Sequence, residues 1–94
     1  MNRERNVLQR FFTTIREDNR IGTAHISLYM ALFELWGQNG FEGPVTITRK
    51  SVMETAKICG LATYHRCIKD LHNYGYIQYE PSYHPSGKSR VNFL

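Results

Sequence analysis

The 94-residue sequence contains few of the residues that hold small secreted or metal-binding domains together. Its two cysteines, Cys59 and Cys67, lie at a spacing that matches no zinc signature, and we expect both to be reduced residues of the core. No apolar stretch approaches the roughly 20 residues that a membrane span needs, and the charged N-terminal stretch lacks the apolar run of a signal peptide. These absences exclude a disulfide scaffold and a zinc finger, and they predict a cytoplasmic protein without a membrane partner.

Groups of residues with catalytic spacing are also missing. The acidic residues are scattered, and no glycine-rich phosphate loop follows a predicted strand. His65 and His72 share one helix face, but no third ligand is spaced for a metal. Cys67 and His65 point to opposite sides of that helix, so they do not form a nucleophile and its base. The sequence therefore predicts a protein that is not an enzyme and that holds no metal or cofactor.

The composition is that of a small basic domain. Twelve Lys and Arg against eight Asp and Glu leave a net charge of +4, which suits nucleic acid or another anionic surface. Hydrophobic residues make up 41% of the chain, and a chain of this length can bury about 60–65% of the surface that its unfolded form exposes. Residues 1–94 are therefore predicted to form a single domain with one core.

Two helices are predicted in the first part of the chain. The first, over residues 3–17, has one apolar stripe with the helical period, formed by Val7, Leu8, Phe11, Phe12 and Ile15. Its arginines fit a solvated face; alternatively they reach phosphates, or the stripe pairs with a second subunit. Residues 1–20 are thus a candidate dimerisation element for a homodimer.

The second predicted helix, over residues 24–37, is apolar almost all round, which is typical of a buried helix. Only Ser27, Ala31 and Glu34 are expected to face outward. A loop over residues 37–44 follows, and we expect its Phe41 to pack back onto the core.

Residues 48–77 favour two helices joined by a short turn. The first of them starts at Thr48, whose hydroxyl can cap it, or alternatively at Ser51, which begins a capping-box pattern. Gly60 is expected to supply the backbone freedom for the turn. The next helix spans residues 61–74, and Gly75 is the expected left-handed residue beyond its end.

Three extended segments complete the predicted fold. The β-branched run 45–48 suits a short strand that can pair with the C-terminal segment. Segments 76–80 and 89–94 alternate apolar and polar residues on either side of a turn-rich tip, which predicts a long-looped β-hairpin. The fold class is therefore mainly α with a small β-hairpin (α+β), with about four helices, a short strand and a two-stranded hairpin.

The helix at 61–74 has two distinct arcs. Its apolar arc consists of Tyr64, Cys67, Ile68, Leu71 and Tyr74. Its outward arc consists of Ala62, His65, Arg66, Lys69, His72 and Asn73. The outward arc fits either a solvated polar face or a surface that contacts DNA.

The order of these elements, and the stretch GLATYHRCIKDLHNYGYI at 60–77 in particular, resembles the winged helix-turn-helix family of DNA-binding proteins. The shared features are a turn glycine, a small residue with a threonine and an aromatic at the helix start, a mid-helix Arg and Lys, and a Gly-aromatic-Ile ending. Over residues 23–94 the chain is similar to small winged-helix proteins of bacterial conjugative transposons and related mobile genetic elements. The resemblance implies a helix-turn-helix over 48–77 and a wing over 76–94.

Sequence-specific binding of double-stranded DNA is the function that this resemblance implies, and the residue types agree with it. An Arg, an Asn and small residues on the outward arc suit base reading in the major groove, and the expected base-reading residues are Ala62, Thr63, His65, Arg66, Lys69 and Asn73. The start of the preceding helix suits a phosphate clamp formed by Thr48, Arg49, Lys50 and Ser51. On the wing, His84, Lys88 and Arg90 would contact the flanking DNA backbone or the minor groove.

Other roles stay open from the sequence. The charges on the hairpin also suit ordinary protection of a sheet edge. The protein is expected to act in transcription regulation or as an accessory factor of a mobile element. Alternatively it is a winged-helix protein-interaction module, or a component of replication initiation.

Overall fold

A computed structural model describes residues 2–82 and 87–94 as four helices and a three-stranded antiparallel sheet. The helices are α1 (Arg3–Ile15), α2 (Thr23–Gln38), α3 (Arg49–Ala56) and α4 (Leu61–Asn73). The strands are β1 (Val45–Ile47), β2 (Ile77–Glu80) and β3 (Ser89–Phe93). The predicted α+β class, the four helices and the antiparallel pairing of the last two strands are confirmed. None of the described helices is long and apolar enough to cross a membrane.

Helix α2 is the centre of the core, as its apolar circumference predicts. Leu28 and Leu32 are fully buried and Trp36 is nearly so, because α1, α3, α4 and β1 surround the helix. The expectation that Ala31 faces outward is wrong, since only 3% of its surface is exposed. Its small side chain is buried where the neighbouring elements close around α2.

Helix α1 packs on α2 through stacked aromatic rings. The Phe11 and Tyr29 rings are parallel, with centroids 3.6 Å apart, and Tyr76 meets Phe11 edge-on at 5.4 Å. Val7 is buried as well, whereas Phe12 remains 38% exposed. Most of the predicted apolar stripe of α1 therefore packs against other parts of the same chain.

The sheet has β3 as its central strand, between β1 and β2. Val91 lies opposite Val45 on one side and opposite Tyr79 on the other. The short strand β1 thus pairs with the C-terminal segment, as expected. Phe41, in the loop before β1, packs against Trp36 with ring centroids 5.1 Å apart, so it does return to the core.

The turn between α3 and α4 differs from the prediction. Lys57 is the residue with left-handed backbone (φ 61°), and α3 ends just before it. Gly60 has φ −85°, a conformation that any residue adopts, so its expected role in the turn is wrong. At the other end of α3, Thr48 Oγ1 accepts a hydrogen bond from the Ser51 amide at 3.2 Å. The helix therefore begins at the first of the two predicted starts.

The end of α4 matches its predicted termination. Gly75 has φ +87° and donates to the His72 carbonyl, while the Tyr76 amide donates to the Leu71 carbonyl at 2.9 Å. These two hydrogen bonds form a Schellman motif, in which glycine is favoured because a Cβ is strained at positive φ. The motif sets the direction in which the chain leaves α4 and enters β2.

Candidate nucleic-acid interface

The candidate site is built on the outward arc of α4. Tyr64, Cys67, Ile68 and Leu71 are buried against the core. Opposite them, an arc about 100° wide by helical geometry is exposed along its whole length and consists of Ala62, His65, Arg66, Lys69 and Asn73. The structure therefore brings five of the six predicted base-reading residues together on one open face without an acidic residue among them.

Thr63 does not share that face. It is half-buried, and it lines a cleft together with Thr23 and Ala24 at the start of α2 and the turn before α4. Helical geometry places it about 100° from Ala62, near the border with the buried arc. The prediction that Thr63 contacts a base is therefore not supported by its position.

A partly buried polar pair holds α4 against α2, and sequence reasoning missed it. His25 Nε2 lies 2.8 Å from Asp70 Oδ2, while His25 Nδ1 accepts the Gly22 amide at 3.0 Å. Since the amide can only donate, Nδ1 is an acceptor and the ring proton sits on Nε2, where it is donated to Asp70. The carboxylate is thereby turned toward α2, and the exposed arc keeps its positive character. A histidine as a polar residue within an apolar helix was the available signal.

Another contact fixes the C-terminal end of α4. The Tyr79 amide of edge strand β2 donates to His72 Nδ1 at 3.0 Å. This bond satisfies an amide on the open side of β2, which would otherwise face solvent unpaired. His72 is exposed like its neighbours on this side of α4, but its Nδ1 is already engaged by the sheet.

The loop between α1 and α2 adds a polar cluster that the sequence did not reveal. Asp18 accepts from both Arg20 Nε and Nη2, at 2.8 and 2.9 Å, and from the Tyr76 hydroxyl at 2.6 Å. The Arg20 guanidinium also lies over the Tyr74 ring, 3.8 Å from its centroid. Hydrogen bonds from Arg20 and then from Tyr76 hold the pKa of Asp18 well below its usual range. The cluster ties this loop to the end of α4.

The predicted phosphate clamp is partly occupied by helix capping. Thr48 Oγ1 and the Ser51 amide bond to each other. The amides of Arg49 and Lys50 are first-turn groups without an acceptor in the helix, and both of these side chains are exposed. Arg49 and Lys50 are therefore the residues of this segment with free donors and charge for an anion.

The sheet register brings this helix start next to the hairpin. Ile47 lies opposite Ser89 in the antiparallel pairing of β1 with β3. The residues that follow and precede them, Thr48 and Lys88, are therefore adjacent across the end of the ladder. Lys88 is exposed. The cations of Arg49 and Lys88 thus belong to neighbouring segments.

The contacts predicted for the hairpin, by His84, Lys88 and Arg90, are only partly available. Arg90 is exposed, but its Nη2 pairs with Glu80 Oε1 at 2.9 Å across the β2–β3 ladder. Such exposed pairs contribute about 0–1 kcal/mol and are easily exchanged. His84 lies outside the described residues. Among the described residues of this group, Lys88 is the one cation without an acidic partner.

Electrostatic interactions of Tyr64 indicate that α4 lies near these segments. The His65 ring meets the Tyr64 ring edge-on, with centroids 5.4 Å apart. Burial raises the pKa of Tyr64 to about 12, nearby Tyr79 adds to this shift, and the positive charge of Arg49 opposes it. The Tyr79 hydroxyl lies 3.4 Å from Ser89 Oγ. The start of α4, the start of α3 and the start of β3 therefore lie near one another.

Arg66 approaches the buried thiol beside it. Burial raises the pKa of Cys67, and the Arg66 guanidinium partly opposes the shift. Cys67 is fully buried, as predicted, whereas Cys59 is exposed, so the expectation that both thiols lie in the core is wrong for Cys59. Cys59 lies beyond the end of α3, so the helical repeat that buries one side of the helix does not apply to it.

Comparison with known proteins does not extend this description. The chain matches no protein-family model, no curated protein sequence and no solved structure. What the site can do is therefore argued from its own geometry and charge.

Proposed function

We propose that this chain is a winged helix-turn-helix protein that binds double-stranded DNA in a sequence-specific manner. In this proposal α3 and α4 form the helix-turn-helix, α4 is the recognition helix, and the β2–β3 hairpin is the wing. The proposed biological role is transcription regulation, or accessory work for a bacterial mobile element, in the cytoplasm. The proposal includes a homodimer through α1, to which the exposed Phe12 side chain would contribute an apolar contact.

One observation carries the proposal. The exposed arc of α4 presents His65, Arg66, Lys69 and Asn73 with no acidic residue, on a helix whose other side is fixed in the core. A helix that is cationic and rich in donors along its free face, and held rigidly from behind, suits insertion into an anionic groove.

The proposed base contacts follow from the dimensions of the groove. The B-DNA major groove is about 12 Å wide and admits an α-helix. The 13 residues of α4 span about 20 Å, so the arc can follow several base pairs. Arg66 would bond guanine O6 and N7 through its guanidinium, and Asn73 would bond adenine N6 and N7. Lys69 would donate to a base or to a phosphate.

The proposed phosphate contacts come from the two neighbouring segments. Arg49 and Lys50 have exposed charges and unpaired first-turn amides, which favour a phosphate at the start of α3. Lys88 would contact the flanking strand. Arg90 would do so by exchanging Glu80 for a phosphate, which the weakness of an exposed ion pair permits.

The first test is selection of bound sequences from a random DNA pool, followed by fluorescence anisotropy on the selected site. The double variant Arg66→Ala with Lys69→Ala should weaken binding to that site by tenfold or more, with about 1–3 kcal/mol of lost discrimination at a base that Arg66 reads. The slope of the log–log dependence of affinity on salt should become shallower by up to about 1, since Lys69 is the one of the two that is proposed for a phosphate contact.

The matched control removes the same charge elsewhere. Arg5→Ala with Arg16→Ala also lowers the net charge by two, at exposed positions of α1. It should leave sequence discrimination unchanged. Equal loss of affinity in the two double variants would show that only net charge matters, and the proposed role of α4 would be refuted.

A protein-interaction module is the second candidate. Two exposed apolar side chains favour it, because Leu61 at the start of α4 is 46% exposed and Phe12 is 38% exposed. In that case the chain should bind a protein partner even at high salt, and Phe12→Ser or Leu61→Ser should abolish this binding. The random DNA pool should yield no enriched sequence.

A further inference from the structure

A cleft lies between α1 and the junction of α4 with β2, away from the exposed arc of α4. Its volume is about 300 Å³, which is at the lower end of the range for small-molecule sites. Its walls come from both ends of the chain, chiefly from α1 through Val7, Arg10, Phe11 and Thr14, together with Tyr29 and Tyr76. The lining combines aromatic and aliphatic side chains with a comparable share of polar groups.

The hydroxyl of Tyr29 is the unusual group in this cleft. The residue is 1% exposed, and its ring is fixed by parallel stacking on Phe11. Within residues 2–82 and 87–94, no hydrogen-bond partner is present for this hydroxyl, although the residue lines the cleft. Among the described residues, Trp36 Nε1 is the side-chain polar atom that is fully buried without a partner, so the Tyr29 hydroxyl is reached from the cleft. The hydroxyl is therefore free to donate to a ligand in the cleft.

Arg10 supplies a positive charge at the same place. Its side chain lines the cleft and lies close enough to Tyr29 for its charge to favour the phenolate, against the burial that raises the pKa of Tyr29. In the described part of the chain Arg10 has no acidic partner, since the ion pairs there are formed by other residues. Thr14, one helical turn further along α1, adds a second hydroxyl.

The other groups of the cleft restrict the ligand. Tyr76 also lines it, but its hydroxyl is already donated to Asp18. This leaves one guanidinium and two hydroxyls beside walls of Val7 and Phe11. One full positive charge matches a singly charged anion, and the apolar walls match a hydrocarbon body.

We propose that this cleft is a binding site for a small organic monocarboxylate, whose carboxylate accepts from Arg10 and the Tyr29 hydroxyl while its body packs on Phe11. The aromatic or short aliphatic part of the ligand occupies the apolar portion of the cleft. This site needs no nucleic acid, so the proposal stands or fails independently of DNA binding.

The test is calorimetric titration of the full chain with sodium benzoate and sodium hexanoate, beside the neutral amides benzamide and hexanamide. At least one carboxylate should bind with a Kd below about 1 mM, and its amide should bind at least about tenfold more weakly. Amide NMR shifts should change at Thr14, Gly75 and Leu94. Binding of neither carboxylate below about 1 mM would overturn the proposal, as would equal binding of acid and amide.

Two variants locate the site. Arg10→Gln should weaken carboxylate binding about tenfold or more, and Tyr29→Phe about three- to tenfold. Tyr29→Phe keeps the stacked ring and removes only an unpaired hydroxyl, so the fold should be unaffected or slightly more stable. Arg16→Gln, the control just beyond the end of α1 and outside the cleft, should leave binding unchanged. Carboxylate binding that is equally strong in Arg10→Gln and the original chain would also overturn the proposal.

Discussion

The contact between His25 and Asp70 offers the sharpest test of how α4 is held. The perturbation is His25→Ala, which removes a side chain that is 9% exposed together with both of its hydrogen bonds. One bond, from the Gly22 amide, is between neutral groups, and the other is to a carboxylate that is 24% exposed. The variant leaves both partners without their acceptor or donor inside the protein.

The expected cost is the sum of those two losses. A neutral hydrogen bond contributes about 0.5–1.5 kcal/mol and one to a charged group about 1.5–3 kcal/mol. Because Asp70 is partly exposed, water replaces some of what it loses, and we expect His25→Ala to lower the free energy of unfolding by about 2–4 kcal/mol. Asp70→Asn keeps an amide oxygen as acceptor for Nε2–H, so it should cost only about 1 kcal/mol.

The assay is urea denaturation of the single variants and of the double variant, followed by Trp36 fluorescence. Because the two side chains are in contact, the double variant should cost less than the sum of the single costs, by about 0.5 kcal/mol or more. Glu54→Gln is the control for removing an exposed carboxylate, and it should change stability by less than about 0.5 kcal/mol. Full additivity, or a cost below about 0.5 kcal/mol for His25→Ala, would refute the pairing.

Further predictions concern the turns, acid stability and the hairpin. Gly75→Ala should destabilise by about 1–2 kcal/mol because φ is +87° there, whereas Gly60→Ala should change the unfolding free energy by no more than about 0.5 kcal/mol; similar costs at both sites would contradict the observed turn. The pKa of Asp18 in the folded protein lies below its ordinary value of 3.8, so its contribution to stability is fully present above that pH and is lost as pH falls below it. Asp18→Asn should therefore lower the free energy of unfolding at neutral pH and weaken its fall at acid pH. An unchanged dependence of the unfolding free energy on acid pH would count against this. Glu80→Gln should free Arg90 and strengthen DNA binding about two- to fivefold by anisotropy, and a loss of affinity would show that the pair positions Arg90.

Local patterns were sufficient to predict the helices and their buried faces. The period of Val7 and Phe11 predicted the buried side of α1, and the arcs of α4 follow from the 3.6-residue repeat alone. Thr48 and Gly75 were recognisable as ends of helices because capping depends on residues that are neighbours in the chain. These features lie within a turn or two of sequence, so one sequence reveals them.

The errors and omissions have a different physical origin. Gly60 was expected to be the left-handed residue because glycine adopts that conformation without strain, but the surrounding packing places Lys57 there instead. The His25–Asp70 contact joins positions 45 residues apart and the Asp18–Tyr76 contact joins positions 58 apart. No periodic pattern indicates which distant polar groups will meet, so these contacts required the structure.

The contacts that the sequence did not reveal are the ones that fix the orientation of α4. Apolar packing buries one side of the helix, but packing is non-directional and permits small rotations and shifts. Hydrogen bonds to Asp70 and from the Tyr79 amide to His72 are directional and fix the helix along its length. Residues that we propose to read DNA and residues that fix the orientation of the helix should therefore differ experimentally. Arg66→Ala should lower affinity at unchanged stability, whereas His25→Ala should lower stability and, in the folded fraction, reduce discrimination between sites more than affinity for random DNA.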